Sequence, residues 1–340
     1  MQTSLLSTQR STTKEVFETV RTVSRETPLL TSAALDEFAE RKLFVKAESL
    51  QHTGSFKLRG AFYRLKNLAP AERQNGVVAY SSGNFAQGLA RAGQLLGVPV
   101  TIVMPPDVPQ MKVLGTRRYG AQIVFTNPDG RPREIVAAEV AANLAESRRL
   151  TLLHPFDDSD VVLGHSSLGT ELLQQLEALG EDRPLDTLLV PAGGGGLVAG
   201  IALALRAHGS NTRLIAVEPF GYDDLARSLT AGERRRNATS PPTLCDALQA
   251  LSPGIVPFSI LQETLSGALN VTDEEVRHAM RAAVEFLKLV LEPSGASALA
   301  AVLAAKTRGL DLGDRVGVVC SGGNISAEDF SRLVTEAPRH

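Results

Sequence analysis

Thr187-Leu-Leu-Val-Pro-Ala-Gly-Gly-Gly-Gly-Leu-Val198 passes from a short apolar run through four consecutive glycines into a helical pattern that continues to His208. An apolar strand that feeds a helix through bare backbone is the unit of a parallel α/β sheet. Glycines let the chain turn sharply and bring N–H groups toward an anion beside the positive end of a helix. The spacing is not that of a dinucleotide fingerprint with its later acidic partner. It is not a P-loop either, because no lysine and hydroxyl follow the glycines. A single phosphate monoester held by backbone donors is one reading of the run, and a glycine turn made for tight packing is the other.

The same unit repeats outward in both directions. Leu43–Ala47, Val77–Tyr80, Val100–Met104, Gln122–Phe125, Leu214–Glu218 and Arg315–Cys320 read as strands that are apolar throughout. Helical patterns lie between them at 85–96, 133–147, 162–179 and 273–289, the last opened by the capping hydroxyl of Thr272 and the acids of Asp273-Glu-Glu275. The expected fold class is therefore α/β, with parallel-type sheets covered by helices on both faces. The strand–helix set at 69–152 reads as a small domain inserted into a large one formed by 1–68 and 153–340, with the site in the cleft between them.

Composition sets bounds on function. The chain has 340 residues, 43% hydrophobic and 21% charged, with a formal net charge of −2, which argues against nucleic acid as the main partner. The basic run Arg234-Arg-Arg236 reads as a solvated loop. Cys245 and Cys320 offer no disulfide framework, which suits a reducing cytoplasm, and no histidine pair has zinc-ligand spacing. Neither a signal peptide nor a membrane span is expected.

Four further segments carry candidate chemistry. Lys57, in Glu48-Ser-Leu-Gln-His-Thr-Gly-Ser-Phe-Lys-Leu-Arg-Gly-Ala-Phe62, follows a strand and sits near a helix start, where the dipole favours the neutral, nucleophilic amine. Ser81-Ser-Gly-Asn-Phe-Ala-Gln87 is another strand end entering a helix, suited to a carboxylate or to simple capping. Cys320-Ser-Gly-Gly-Asn-Ile325 ends a strand on a hydroxyl that can bond a ring nitrogen without formal charge. Glu292-Pro-Ser-Gly-Ala-Ser297 sets a carboxylate before a small-residue helix.

In this order the segments resemble the fold type II pyridoxal-phosphate enzymes, in the branch of the serine/threonine dehydratases (ammonia-lyases) and serine racemases. The resemblance spans Thr27 to Asn324. It implies a two-lobed fold like that of the tryptophan synthase β chain, pyridoxal 5'-phosphate as cofactor, and loss of the β-hydroxyl from an amino acid such as threonine, serine or phenylserine to give a 2-oxo acid and ammonia. It further implies that Lys57 forms the Schiff base, that Asn84 bonds the cofactor's ring hydroxyl, that Gly193, Gly194, Gly195, Gly196 and Leu197 form the phosphate cup, and that Ser321 meets the pyridine nitrogen. Phe56 and Glu292 join the cofactor set. Ser81, Ser82, Gly83, Asn84 and Arg133 join the substrate set, and Ser82 doubles as the second base of a racemase, the alternative activity. Glu218, Tyr222 and Asp224 match the family's divalent-cation site, whose oxygen ligands suit magnesium or calcium. A homodimer without a regulatory domain is implied. A non-catalytic nucleotide-binding module, resting on the glycines alone, would leave Lys57 and Ser321 unexplained.

The sequence departs from the family pattern at Phe85, where a histidine is common, at Phe156, where an asparagine is common, and at Ala247, where a glycine is usual. The two phenylalanines imply a more apolar pocket, suited to threonine or a bulkier side chain.

Overall fold

The computed structural model describes residues 12–335 apart from 109, 128–130, 132, 181–182, 238 and 240, and leaves the side chains of 133 and 134 undescribed. Its strands are β1 (Leu29–Leu30), β2 (Lys42–Ala47), β3 (Val77–Tyr80), β4 (Val100–Met104), β5 (Gln122–Phe125), β6 (Thr151–Leu152), β7 (Thr187–Pro191), β8 (Arg213–Pro219), β9 (Gly267–Val271) and β10 (Arg315–Cys320). They form a six-stranded sheet in the order β1-β2-β10-β7-β8-β9 and a four-stranded sheet in the order β5-β4-β3-β6. All pairings are parallel except β1 with β2. The smaller sheet draws only on residues 77–152, so the chain leaves the larger sheet after β2 and returns to it at β7.

Alternation along each strand explains why these runs are apolar throughout. In β2, Leu43, Val45 and Ala47 enter one core while Phe44 enters the other. In β10, Val316, Val318 and Cys320 share the first core while Val319 enters the second. Helices Asp273–Ala282 and Pro293–Ala304 cover the first face, and Ser159–Ala178 and Gly196–Ala207 cover the second. Two-sided burial favours apolar residues on both faces, the signature of parallel sheet, and the exceptions in these strands, such as Lys46 and Thr187, are hydrogen-bonded.

The expected strands and helices all form, with small differences at their ends. The helix expected over 273–289 is regular only to Ala282, then widens to a π-helical turn over Ala283–Leu287. Lys288 takes a left-handed conformation (φ 58°) that turns the chain so that Leu289 and Leu291 are buried in the core. Strands β1, β6 and β9 go beyond the sequence reading; the first two are too short to carry a pattern, and β9 is mostly half-buried.

One buried ion network ties together the elements around residue 57. Arg59 grips Glu48 through Nε (2.9 Å) and Nη2 (2.8 Å), and Glu171 through Nη1 and Nη2 (both 2.9 Å). Lys46 Nζ donates to Glu171 (2.5 Å), Gln175 (2.7 Å) and the Thr27 carbonyl (2.7 Å). Two cations meet two carboxylates, all four within 3% of full burial, so no charge is left unpaired.

Candidate active site

The helix Lys57–Lys66 begins between two cores. Phe56 packs into the core of the large sheet and Leu58 into that of the small one, so Lys57 is held at the seam. A cavity of about 480 Å³ opens there. Lys57 Nζ donates to the carbonyl of Pro155 (2.9 Å) and lies 5.0 Å from the centre of the Phe56 ring and 5.7 Å from that of Phe85. Burial pushes its ammonium down from 10.5 to about 8. Desolvation by burial drives that shift, in the direction the helix start also favours.

Across the cavity, β7 runs into the glycine loop. Gly195 (φ 87°) turns the chain into the helix Gly196–Ala207. Among the described residues, the N–H groups of Gly193, Gly194, Gly195, Gly196 and Leu197 have no protein hydrogen-bond partner, although all but Gly193 are buried. Unpaired amides in a largely buried loop are costly, and five of them beside the cavity make a donor set suited to an anion. The loop is also shaped for bare backbone. A Cβ on Gly194 would lie 2.1 Å from the Phe156 ring, so only bare backbone fits beside that ring. A phosphate monoester fits this donor set.

The remaining walls come from the other strand ends. Ser321, at the end of β10, lines the cavity, and its hydroxyl has no protein partner among the described residues. Ser81, Ser82, Gly83 and Asn84 form the turn between β3 and the helix Asn84–Leu96 and face the same space, with the Gly83 N–H donating to Ser81 Oγ (3.4 Å). Asn84 Nδ2 donates to Glu292 (2.5 Å), whose carboxyl is pushed up to about 8 by burial first and by the charge of Asp246 second. Phe56, Leu197 and Glu292 line the cavity too.

Thus Lys57, Phe56, Ser81 to Asn84, Gly193 to Leu197, Glu292 and Ser321 converge on one cavity from segments up to about 260 residues apart. Arg133 opens the helix Arg133–Arg148, and its side chain lies outside the described residues. Glu218, Tyr222 and Asp224 do not line the cavity. Both Glu218 oxygens accept N–H groups at the start of the helix Asp224–Ala231, from Leu225 (2.9 Å) and Ala226 (3.0 Å). Asp224 Oδ1 accepts from Asn237 (2.6 Å), while its Oδ2 is buried without a partner. Burial raises Glu218 to about 8, with the Asp224 charge adding to it, and raises Asp224 to about 6. Among the described residues no group of three or more His, Cys, Asp or Glu side chains could hold a metal ion, and here the orphaned Asp224 oxygen is what a hard cation would find free.

Several contributors escaped the sequence reading. The Pro155 carbonyl that holds Lys57 carries no side-chain signal. Lys112, on the helix Gln110–Arg117, pairs with Asp246, and both line the cavity. His154 accepts the Asp157 N–H at Nδ1 (2.9 Å) and packs edge-on against Phe156.

The family described as pyridoxal-phosphate dependent enzyme matches residues 20–322. The chain is 41% identical to an L-threo-3-hydroxyaspartate ammonia-lyase of a Pseudomonas species over 92% of its own length and 93% of that protein's. It is 34% identical to the serine racemase of Dictyostelium discoideum over 94% and 96%. The crystal structure of a T.th. threonine deaminase superposes with a TM-score of 0.85 at 41% identity, over 92% of this chain and 97% of that one. With its five free amides, its seam-held lysine and these relatives, the chain belongs to the family of pyridoxal-phosphate dependent enzymes.

Proposed function

We propose that the protein removes the β-hydroxyl and amino groups of a β-hydroxy amino acid, giving a 2-oxo acid and ammonia. The observation that carries this reading is the pairing, in one cavity, of five unpartnered backbone N–H groups with a lysine whose proton affinity burial has lowered. Bound pyridoxal phosphate supplies an electron sink for the α-carbon.

The chain's own groups do the rest. The amides of Gly193 to Leu197 hold the phosphate, and Asn84 and Ser321 address the ring's oxygen and nitrogen. Ser321, being uncharged, leaves that nitrogen without a counter-ion. Phe56 walls the ring. Ser81, Ser82, Gly83 and Asn84, with Arg133, bind the substrate carboxylate and orient the α-C–H toward Lys57. Near neutral pH a fraction of Lys57 is free amine, which would bond the cofactor and would serve as base for the α-proton of a bound substrate. In this arrangement the small domain, 69–152, grips substrate while the large one, 1–68 and 153–340, holds cofactor. Glu218, Asp224 and the Tyr222 carbonyl are assigned to a magnesium or calcium ion on the strength of the orphaned Asp224 oxygen. Two buried free cysteines suit a reducing cytoplasm, and a homodimer follows from the resemblance alone.

Phe85 and Phe156 border the space beside Lys57 with rings, which favours threonine or a bulkier side chain over serine. Release of 2-oxo acid is to be measured across serine, threonine, 3-phenylserine and, prompted by the Pseudomonas relative, threo-3-hydroxyaspartate. The expected kcat/KM for threonine or 3-phenylserine exceeds that for serine by about tenfold or more. A clear preference for serine or for the acidic threo-3-hydroxyaspartate would sink the apolar-pocket reading, and no 2-oxo acid from any substrate would end the elimination reading.

A racemase is the second reading, favoured by Ser82, which lines the cavity and whose hydroxyl has no protein partner among the described residues. Appearance of the D-enantiomer with exchange of the α-proton, lost in Ser82→Ala, would establish it.

A further inference from the structure

Asn324, the last residue of the Ser321-Gly-Gly-Asn324 turn, lies behind Asn84 rather than on the cavity wall. Its Nδ2 donates to the Thr53 carbonyl (2.9 Å) and to Asn84 Oδ1 (2.7 Å), and Asn84 Nδ2 donates to Glu292 Oε1 (2.5 Å). The two ends of a side-chain amide look alike in shape, so which end of Asn84 meets the cavity has to be settled by its neighbours.

The chain of bonds settles it from one fixed point. A backbone carbonyl only accepts, so the Asn324 atom facing Thr53 must be the nitrogen. That nitrogen only donates, so the Asn84 atom facing it must be the oxygen. The Asn84 nitrogen therefore points the other way, spends one hydrogen on Glu292, and keeps the second for the cavity.

The surrounding turns are built to hold Asn324 in place. Gly323 N–H donates to the Gly54 carbonyl (2.8 Å) and Phe56 N–H to the Ser321 carbonyl (3.2 Å), joining this turn to the loop that leads into Lys57. Gly54 sits at φ 69°, and a Cβ there would lie 2.3 Å from Asn324 Oδ1, so only a glycine leaves room for the amide.

We infer that Asn324 is a positioning residue which fixes the Asn84 amide nitrogen-inward, so that the cofactor's ring oxygen always meets a donor. The inference rests on the reading in which Asn84 touches that oxygen. A donor there stabilises the anionic oxygen, and with it the spectrum and the affinity of the bound cofactor.

The test uses the purified holoenzyme and the variants Asn324→Ala, Asn324→Asp, Asn84→Ala and Asn84→Ala/Asn324→Ala. The readouts are the visible absorbance of bound pyridoxal phosphate as a function of pH and the cofactor Kd. Asn324→Asp keeps the size of the side chain but loses both donated bonds, so it carries the test even if the alanine variant fails to fold. Both Asn324 variants should weaken the cofactor by about fivefold to tenfold and move the absorbance midpoint in the same direction as Asn84→Ala. Once Asn84 is gone, Asn324→Ala should add less than about twofold, since it acts through Asn84. Full additivity in the double variant, or a wild-type spectrum and Kd in the Asn324 variants while Asn84→Ala shifts both, overturns the proposal and leaves the Asn84 reading standing. A silent Asn84→Ala overturns that reading itself, and the proposal with it.

Discussion

Lys57 and Arg59 are cations two residues apart on one turn of one helix, and the fold treats them in opposite ways. Arg59 is completely buried and saturated: burial pulls its proton affinity down, but the carboxylates of Glu48 and Glu171 more than offset this and hold it above its ordinary value. Lys57 has no carboxylate within ion-pairing distance among the described residues, so burial acts alone and brings it to about 8. The rigidity of the first site makes the second possible. A lysine can be left short of partners at a defined point only if the backbone around it is fixed by something else, here four charges tying β2 and the helices Lys57–Lys66 and Ser159–Ala178 together.

That contrast can be broken experimentally. Lys57→Ala should abolish turnover and the visible absorbance of bound cofactor while changing unfolding free energy by less than about 1 kcal/mol, because only the bond to Pro155 is lost and a desolvated amine is removed. If the variant keeps turnover, Lys57 is not the group that bonds the cofactor; if it unfolds instead, Lys57 is a structural cation as Arg59 is. Arg59→Met is the mirror experiment. It leaves Glu48 and Glu171 buried without their fork, at a cost of about 3–5 kcal/mol in a denaturant titration. Whatever folded fraction remains should still bind cofactor through Lys57; loss of that linkage in well-folded protein would mean that Arg59 acts on the chemistry directly.

The smallest effect sharpens the comparison by pH. The unfolded chain keeps the Lys57 proton up to about 10.5, and the native apoprotein releases it near 8. Below about 8 the native state therefore bears the full cost of the buried charge, and that cost fades as pH rises from 8 to 10.5. The rate at which apoprotein captures pyridoxal phosphate should rise with the free amine, with a midpoint near 8. A midpoint near 10.5 would show that Lys57 is solvated, and the contrast with Arg59 would vanish.

The candidate site was unusually legible because each of its parts is a strand end followed by small residues, and such parts carry a local signature. Gly193 to Gly196, Ser82-Gly-Asn84 and Ser321 each left a packing or capping reading open, and only their order along the chain, through the family resemblance, singled them out; all of them reach the cavity. Phe156 was singled out as a departure from a family pattern, but its packing against Gly194 at the cavity wall depends on a contact that no spacing encodes. The resemblance implies a metal ligand at Glu218, whereas in the structure both its oxygens accept N–H groups at the start of a helix, a contact that the sequence pattern does not show.

The order of apolar runs and helical patterns determined the α/β class and the strand ends on which chemistry could sit, because burial on both faces of a parallel sheet is written into each strand locally. Which of those ends meet, and in what protonation state, was decided only by the tertiary structure. Glu171 lies 112 residues from the Arg59 it clamps, and Asn324 lies 240 residues from the Asn84 amide it orients. Hydrogen bonding and desolvation depend on distances through space, and the sequence records only distances along the chain.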